Sequence, residues 1–364
     1  MNANRGHVVL LIALLGLVGL RAQQPPAAAQ TVGATRPNVQ VIKDLPESQL
    51  FPVMNAMADS LGVTCEYCHV RNAPNPNTVV GGWLWDRDDK PTKAVGKRML
   101  KMVRDLNAAN FDGRARVTCF TCHQGSLQPS RLPALPPLQS APSSPTVLPS
   151  APEIMASYQA AVGGEAAARF ATTVMTATDD RSENRHGTFE VQLKGADKAK
   201  LTLRMPGQPE ITQTMEGDTG WVTSPDLRVL SQNDVAALKR ATARYSAIKV
   251  IDPAAAMQVR GVEPVRNRPA FVLEAIIDST TTRRLYFDVE TRLLVREMTT
   301  LETLVVPLQN QIDYEDYRAV DGVKLPFTMV ISDNAPYATA TRRFTRIAHG
   351  VPLDDALFKP PIRK

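Results

Sequence analysis

All four cysteines of this 364-residue chain fall in two copies of one five-residue pattern, Cys65-Glu66-Tyr67-Cys68-His69 and Cys119-Phe120-Thr121-Cys122-His123. Cysteines separated by two residues and followed at once by histidine are the attachment signal of c-type haem. The chemistry accounts for every position. Two thiols add to the two vinyl groups of one haem, the two intervening residues set the gap, and the adjacent histidine reaches the iron. A four-cysteine zinc site uses similar pairs but gives no role to a histidine after both. A thioredoxin-like pair needs a βαβ context, and none is visible. Two disulfides would leave the identical spacing unexplained. The pattern therefore predicts two covalently bound haem c groups, held by Cys65, Cys68, Cys119 and Cys122, with His69 and His123 as iron ligands.

A six-coordinate electron-transfer haem needs a second axial ligand, commonly methionine or histidine. No further histidine stands near the motifs, but methionines lie in a helix-like segment upstream of each. The first segment runs from about Ser48, a reasonable N-cap, to Ser60, with Gly62 suited to its end. Met54 and Met57, three apart, share a face of it. The second starts at Pro91, a good first helical residue, and runs to about Asn110. Its apolar stripe is Val95, Met99, Met102, Val103 and Leu106. Spacing leaves open which methionine of each pair binds iron. Helices this close to two motifs have little to bury except porphyrin.

Residues 1–22 read as a secretory signal: Arg5 supplies charge, and Val8 to Leu20 is an apolar run too short to span a bilayer comfortably. The mature chain is expected in the periplasm or at the outer face of the inner membrane. Its net charge of +6 favours acidic partners, and no nucleic-acid recognition motif appears.

The stretch KPTKAVGKRMLKMVRDLNAANFDGRARVTCFTCHQG, residues 90–125, resembles the haem segments of the photosynthetic reaction-centre cytochrome c subunit family. LFPVMNAMADSLGVTCEYCH, residues 50–69, resembles the preceding unit of that family, and the likeness covers residues 38–126. It implies that Met54 and Met99 are the distal iron ligands, with Met57 and Met102 as packing residues one turn away. It also implies an electron-transfer protein rather than an enzyme, working with redox partner proteins such as a membrane electron-transfer complex or reaction centre. The chain departs from the family in carrying two haem motifs where the full subunit has four. The segment 111–116 also lacks the histidine that ligates one family haem, so both haems are expected to be methionine–histidine ligated.

From Ser126 to Pro152 proline, serine, leucine and alanine dominate, which reads as a semi-extended tether between two independent units. Residues 153–364 show alternating, strand-like segments at 188–193, 200–205, 271–277, 284–289, 293–299, 311–317, 327–332 and 339–346. Turns are expected at 216–220 and 288–292, helices at 153–162 and 233–251. The order of elements, with segments such as LYFDVETRLLVREM and VDGVKLPFTMVISD, is similar to the outer-membrane lipoprotein-carrier family. The expected architecture is multidomain: a signal peptide at 1–22, a mainly α diheme c-type cytochrome domain at 38–126, a linker at 127–152, and an α+β domain with a curved antiparallel sheet at 153–364. The concave side of that sheet would be filled by its own helices, or alternatively hold a lipid ligand. His186 and His349 read as surface residues. The competing functions are a lipid- or lipoprotein-binding protein, a redox sensor with a fused haem unit, and a diheme peroxidase-like enzyme, which needs one iron with an open sixth position.

Overall fold

The computed structural model describes residues 30–36, 38–71, 82–129, 148–181, 184–224, 226–247, 256–333 and 340–360. The signal-peptide expectation, and residues 130–147 of the expected linker, lie outside them. Among the described residues no helix is long and apolar enough to cross a membrane.

The first part is built from α1 (Val32–Thr35), α2 (Glu47–Leu61), α3 (Pro91–Asn110) and α4 (Cys119–His123), with a two-stranded ladder of β1 (Val70–Arg71) and β2 (Trp83–Leu84). α2 starts one residue before the expected cap at Ser48. Glu47 is already helical because its N–H donates to Gln30 O at 2.8 Å and its carboxylate accepts from Thr35 Oγ1 at 2.5 Å. The helix ends as expected at Gly62, left-handed at φ 64°. α3 begins at Pro91 as expected, but its buried side differs from the expected stripe. Leu100, Val103 and Asn107 are buried, whereas Val95, Met99, Met102 and Leu106 stay exposed.

The second part opens with α5 (Ala151–Val162), closed at its N-terminus by a reciprocal Ser150–Glu153 capping box, and the short α6 (Gly164–Ala167). Among the described residues thirteen antiparallel strands follow in one sheet: β3 (Thr172–Arg181), β4 (Arg185–Lys194), β5 (Lys198–Arg204), β6 (Ile211–Glu216), β7 (Thr219–Thr223), β8 (Leu227–Val229), β9 (Met257–Val265), β10 (Arg268–Ile276), β11 (Thr281–Asp288), β12 (Leu294–Leu301), β13 (Leu308–Val320), β14 (Val323–Asp333) and β15 (Ala340–His349). The last strand, β15, pairs with the first, β3, so the two edges are β8 and β9. α7 (Gln232–Ala243) lies in the connection between those edges. It stops short of the expected 251; residues 248–251 lie outside the described ones. The sheet is curved, since α5 touches both β14 and β9, five strands apart.

Strands β3, β8 and β9 were not expected, and β6 and β7 only through the hairpin turn at 216–220. β3 is rich in threonine and acid, and β9 carries Gly261 and Pro264, which an edge strand tolerates. Their alternation shows only once the buried partners are known.

The interior holds apolar residues such as Tyr158, Leu273, Phe287, Ile312 and Phe344 and two buried polar networks. Glu297 accepts from Arg283 Nε at 3.0 Å and Tyr314 OH at 2.8 Å, and pairs with Arg244 at 3.3 Å. Asp179 accepts from Arg181 and Arg342, at 2.6 and 2.7 Å, and Arg342 donates to Tyr245 OH. Beside Tyr158, Arg244 and Tyr317 lies a cavity of about 10 Å³, on the scale of a single water.

The two parts touch. Val305 and Val306, in the turn between β12 and β13, are buried in one cluster with Val32, Ile42, Leu45, Val53, Ala56 and Leu100. The expectation of two independent units does not anticipate this contact. Burying a valine side chain contributes about 1.5–3 kcal/mol.

Candidate functional site

The two cysteine motifs are entered the same way. Thr64 and Thr118 are both extended, at φ −102°, ψ 172° and φ −128°, ψ 172°, and each turns the chain into the motif helix. Cys65–Tyr67 forms a single 3-10 turn, while Cys119–His123 forms α4, closed by a Thr118–Thr121 capping box. The four cysteines are unbridged. Burial pushes the thiols of Cys65, Cys68 and Cys119 above their ordinary range, the opposite of the depressed thiol in a reactive redox pair.

α2, the first motif and α3 enclose a cavity of about 580 Å³, within the range of cofactor pockets. Its wall brings together Met54, Met57, Cys65, Cys68 and His69, with Phe51, Trp83 and Trp85 and the α3 residues Lys93, Gly96, Lys97 and Leu100. Trp85 meets Phe51 and His69 edge-on, at 5.4 and 5.0 Å, and stacks on Trp83. Lys93 holds the Trp85 segment by donating to Trp85 O at 2.8 Å and Arg87 O at 2.6 Å. Asp88 accepts from Lys97 and Lys93, which hold its carboxyl down to about 2.

His69 tests whether this cavity suits a metal-centred group. Its Nδ1 is buried with no hydrogen-bond partner, which costs about 1–3 kcal/mol unless something else satisfies it. Burial first, then Lys93, lowers the ring to about 4, so it is neutral at physiological pH, the form that ligates a metal. Two thiols, a neutral imidazole that also meets the Trp85 backbone, and thioether sulfurs around one apolar space fit haem c.

The second motif is differently arranged. His123 Nδ1 lies 2.9 Å from Ser126 O; as a donor there it leaves Nε2 as the ring's acceptor. Cys122 is exposed, as are Phe111 and Phe120. Met99 and Met102 are 43% and 50% exposed, so neither is core packing within the protein. At about 100° per residue, the exposed stripe of Val95, Met99, Met102 and Leu106 is centred roughly 140° around α3 from the residues that line the first cavity. The face of α3 that lines the first cavity is thus distinct from its exposed apolar stripe.

Asn107, which sequence reasoning missed, ties the second motif down. It is 2% exposed; its Nδ2 donates to Val117 O at 2.7 Å, and its Oδ1 accepts from the N–H groups of Arg116 and Val117. The signal available was an amide on the α3 face that carries Leu100 and Val103. Phe51, Trp83 and Trp85 were also missed. His186 is exposed as expected, bonded to Asp180 and Asn184. His349 is half-buried rather than fully at the surface: it stacks on Phe170 at 4.4 Å, its Nδ1 lies 3.0 Å from Thr173 Oγ1, and among the described residues its Nε2 has no hydrogen-bond partner.

Residues 18–150 match the family model described as photosynthetic reaction centre cytochrome C subunit. The chain is 34% identical over 126 residues to the photosynthetic reaction center cytochrome c subunit of Thermochromatium tepidum, covering 31% of this chain and 28% of that protein. It is 33% identical over 96 residues to cytochrome c-554 of Chloroflexus aurantiacus, covering 24% of this chain and 20% of that protein. The aligned stretches thus span less than a third of these relatives' own length. The sheet is similar to a LolA superfamily protein from Nitrosomonas europaea, at 15% identity and a TM-score of 0.42, covering 58% of this chain and 99% of that one.

Proposed function

We propose that this chain is a diheme c-type cytochrome that passes electrons between redox partners in the periplasm. The observation that carries the reading is the 580 Å³ apolar cavity in which Cys65, Cys68 and the half-buried ring of His69 meet two methionines. Bound haem supplies one-electron chemistry at iron, tuned by axial ligands, hydrogen bonds and burial.

The residues divide that work. Cys65 with Cys68, and Cys119 with Cys122, hold one haem each through thioether bonds. His69 and His123 would ligate the irons, and the His123 Nδ1–Ser126 O contact would hold that ring with Nε2 free for the metal. Met54 and Met99 are the distal ligands; both stand on helix faces that put sulfur beside a motif or leave it uncovered by protein. Phe51, Trp83 and Trp85 keep water from the first site. The exposed stripe of α3, with Phe111 and Phe120, is the apolar bed of the second haem.

The partner is a membrane electron-transfer complex of the reaction-centre kind, in keeping with the names of the relatives. The sheet unit serves docking or localisation, since its described interior is filled by α5, α7 and the two ion networks. Intact mass of the purified mature protein tests the central reading. Two haem additions are expected; an apo-protein mass with two disulfides, or bound zinc, would end it.

A further inference from the structure

We propose that the β12–β13 turn is a positioning element of the first haem site, with Val305 and Val306 seating α2 against α3. The inference rests on reading the 580 Å³ cavity as a haem site, and extends that reading to residues some two hundred positions away in sequence.

The cluster that buries the turn and the lining of the cavity share side chains. Ile42 and Leu100 belong both to the cluster that buries the two valines and to the cavity lining. Leu50, Met54 and Met57 pack on that cluster and face the cavity as well. Val53 and Ala56, on the opposite side of α2 from solvent, are buried in the same cluster. Remove the valines and the floor under Met54 loses its support.

The turn is built to press. Thr303 Oγ1 accepts from the N–H groups of Val305 and Val306, both at 3.1 Å, and donates to Val306 O at 2.7 Å. Thr303 is itself buried. At the turn's base Leu301 pairs with Leu308 across the ladder. The conformation is thus set by its own hydrogen bonds and by two strands of the sheet. A ligating side chain must be held to within about 0.5 Å of its working geometry by such support.

The test uses the full-length protein purified with its haems. Val305→Ser/Val306→Ser is compared with wild type, with Val305→Ile as the conservative change, and with Val272→Ser. Val272 is fully buried in a separate cluster with Val265, Ala270 and Tyr286. Hydrogen exchange of the α2 amides, the methionine–iron absorption of the oxidised protein and the midpoint potential of each haem are read. In the double variant the α2 amides should exchange roughly tenfold faster, and the first haem should lose its share of the methionine band while the second keeps its own. Val305→Ile should match wild type, and Val272→Ser should leave α2 exchange and both haems unchanged. Unaltered α2 exchange in the double variant, or an equal rise in Val272→Ser, overturns the proposal. If the double variant does not fold, Val306→Ala carries the same readouts. A wild-type protein without haem would sink the cofactor reading alone, because α2 exchange decides the seating role by itself.

Discussion

Gly125 donates its backbone N–H to Ser60 O at 2.9 Å, tying the last turn of α2 to the second residue beyond the second cysteine motif. The approach is so close that a Cβ on Gly62 would stand 2.2 Å from Gly125 O, whereas a Cβ on Gly125 would meet nothing within 4 Å. Both glycines have positive φ, 64° and 80°. Gly125→Ala should therefore cost about 1–2 kcal/mol, the left-handed penalty alone. Gly62→Ala should cost more, and should also loosen α4 from α2. Urea denaturation of the two variants checks the order.

Loss of Met54 or Met99 should differ from loss of its neighbour one turn away. A thioether is a soft, neutral ligand that favours ferrous iron. Met54→Ala or Met99→Ala should lower one haem's potential and open that iron to carbon monoxide. Met57→Ala should cost about 2 kcal/mol of packing and leave the methionine band in place. A band lost in Met57→Ala or Met102→Ala and kept in Met54→Ala or Met99→Ala reverses the assignment for that helix.

Asn107→Ala strips three hydrogen bonds from the chain entering the second motif. The expected loss is about 2–3 kcal/mol, since buried backbone groups are left unpaired. Haem content should fall toward one per chain, and tryptic mapping should place the defect at Cys119 and Cys122.

Protease should cut between Ser126 and Pro152, where proline and serine leave little to bury. The haem-bearing and sheet fragments should nevertheless co-elute on gel filtration, held by Val305 and Val306, and part only in denaturant. Immediate separation would show that the valine contact is too weak to join them.

Acid should weaken the sheet through Glu297. Burial raises its pKa, but Arg244 and Arg283 outweigh that and bring it to about 2, below the usual 4.5. A depressed carboxyl contributes stability above its unfolded pKa and loses it as pH falls, here from about 4.5 towards about 2. Glu297→Gln should flatten that part of the stability–pH curve. It should also cost about 3–5 kcal/mol at neutral pH, because two buried guanidinium groups lose their carboxylate.

Much of this was legible in sequence because covalent chemistry is rigid about spacing: the cysteine–histidine motifs, Pro91 as the start of α3 and Gly62 as the end of α2 all carry local rules. The buried side of α3 was not legible. Apolar periodicity reports a stripe that avoids water without saying whether protein or cofactor covers it, and here Met99 and Met102 face away from the protein core while Leu100 lies in it. Asn107 gave only the signal of an amide among apolar neighbours, meaningful once Val117 is seen beside it. Val305 and Val306 were readable in principle. Two adjacent valines in a turn between strands are out of place unless something covers them, but nothing local says what.

The position of Val305 and Val306 also sets a timetable. In N-to-C export Cys65 and His69 reach the periplasm before the β12–β13 turn, and β15, which joins β3 to the rest of the sheet, is later still. While the chain is crossing, α2 and α3 lack the valine layer that closes their far side. The first site is therefore at its most open when its cysteines first become available, and it is clamped only after the C-terminal strands arrive.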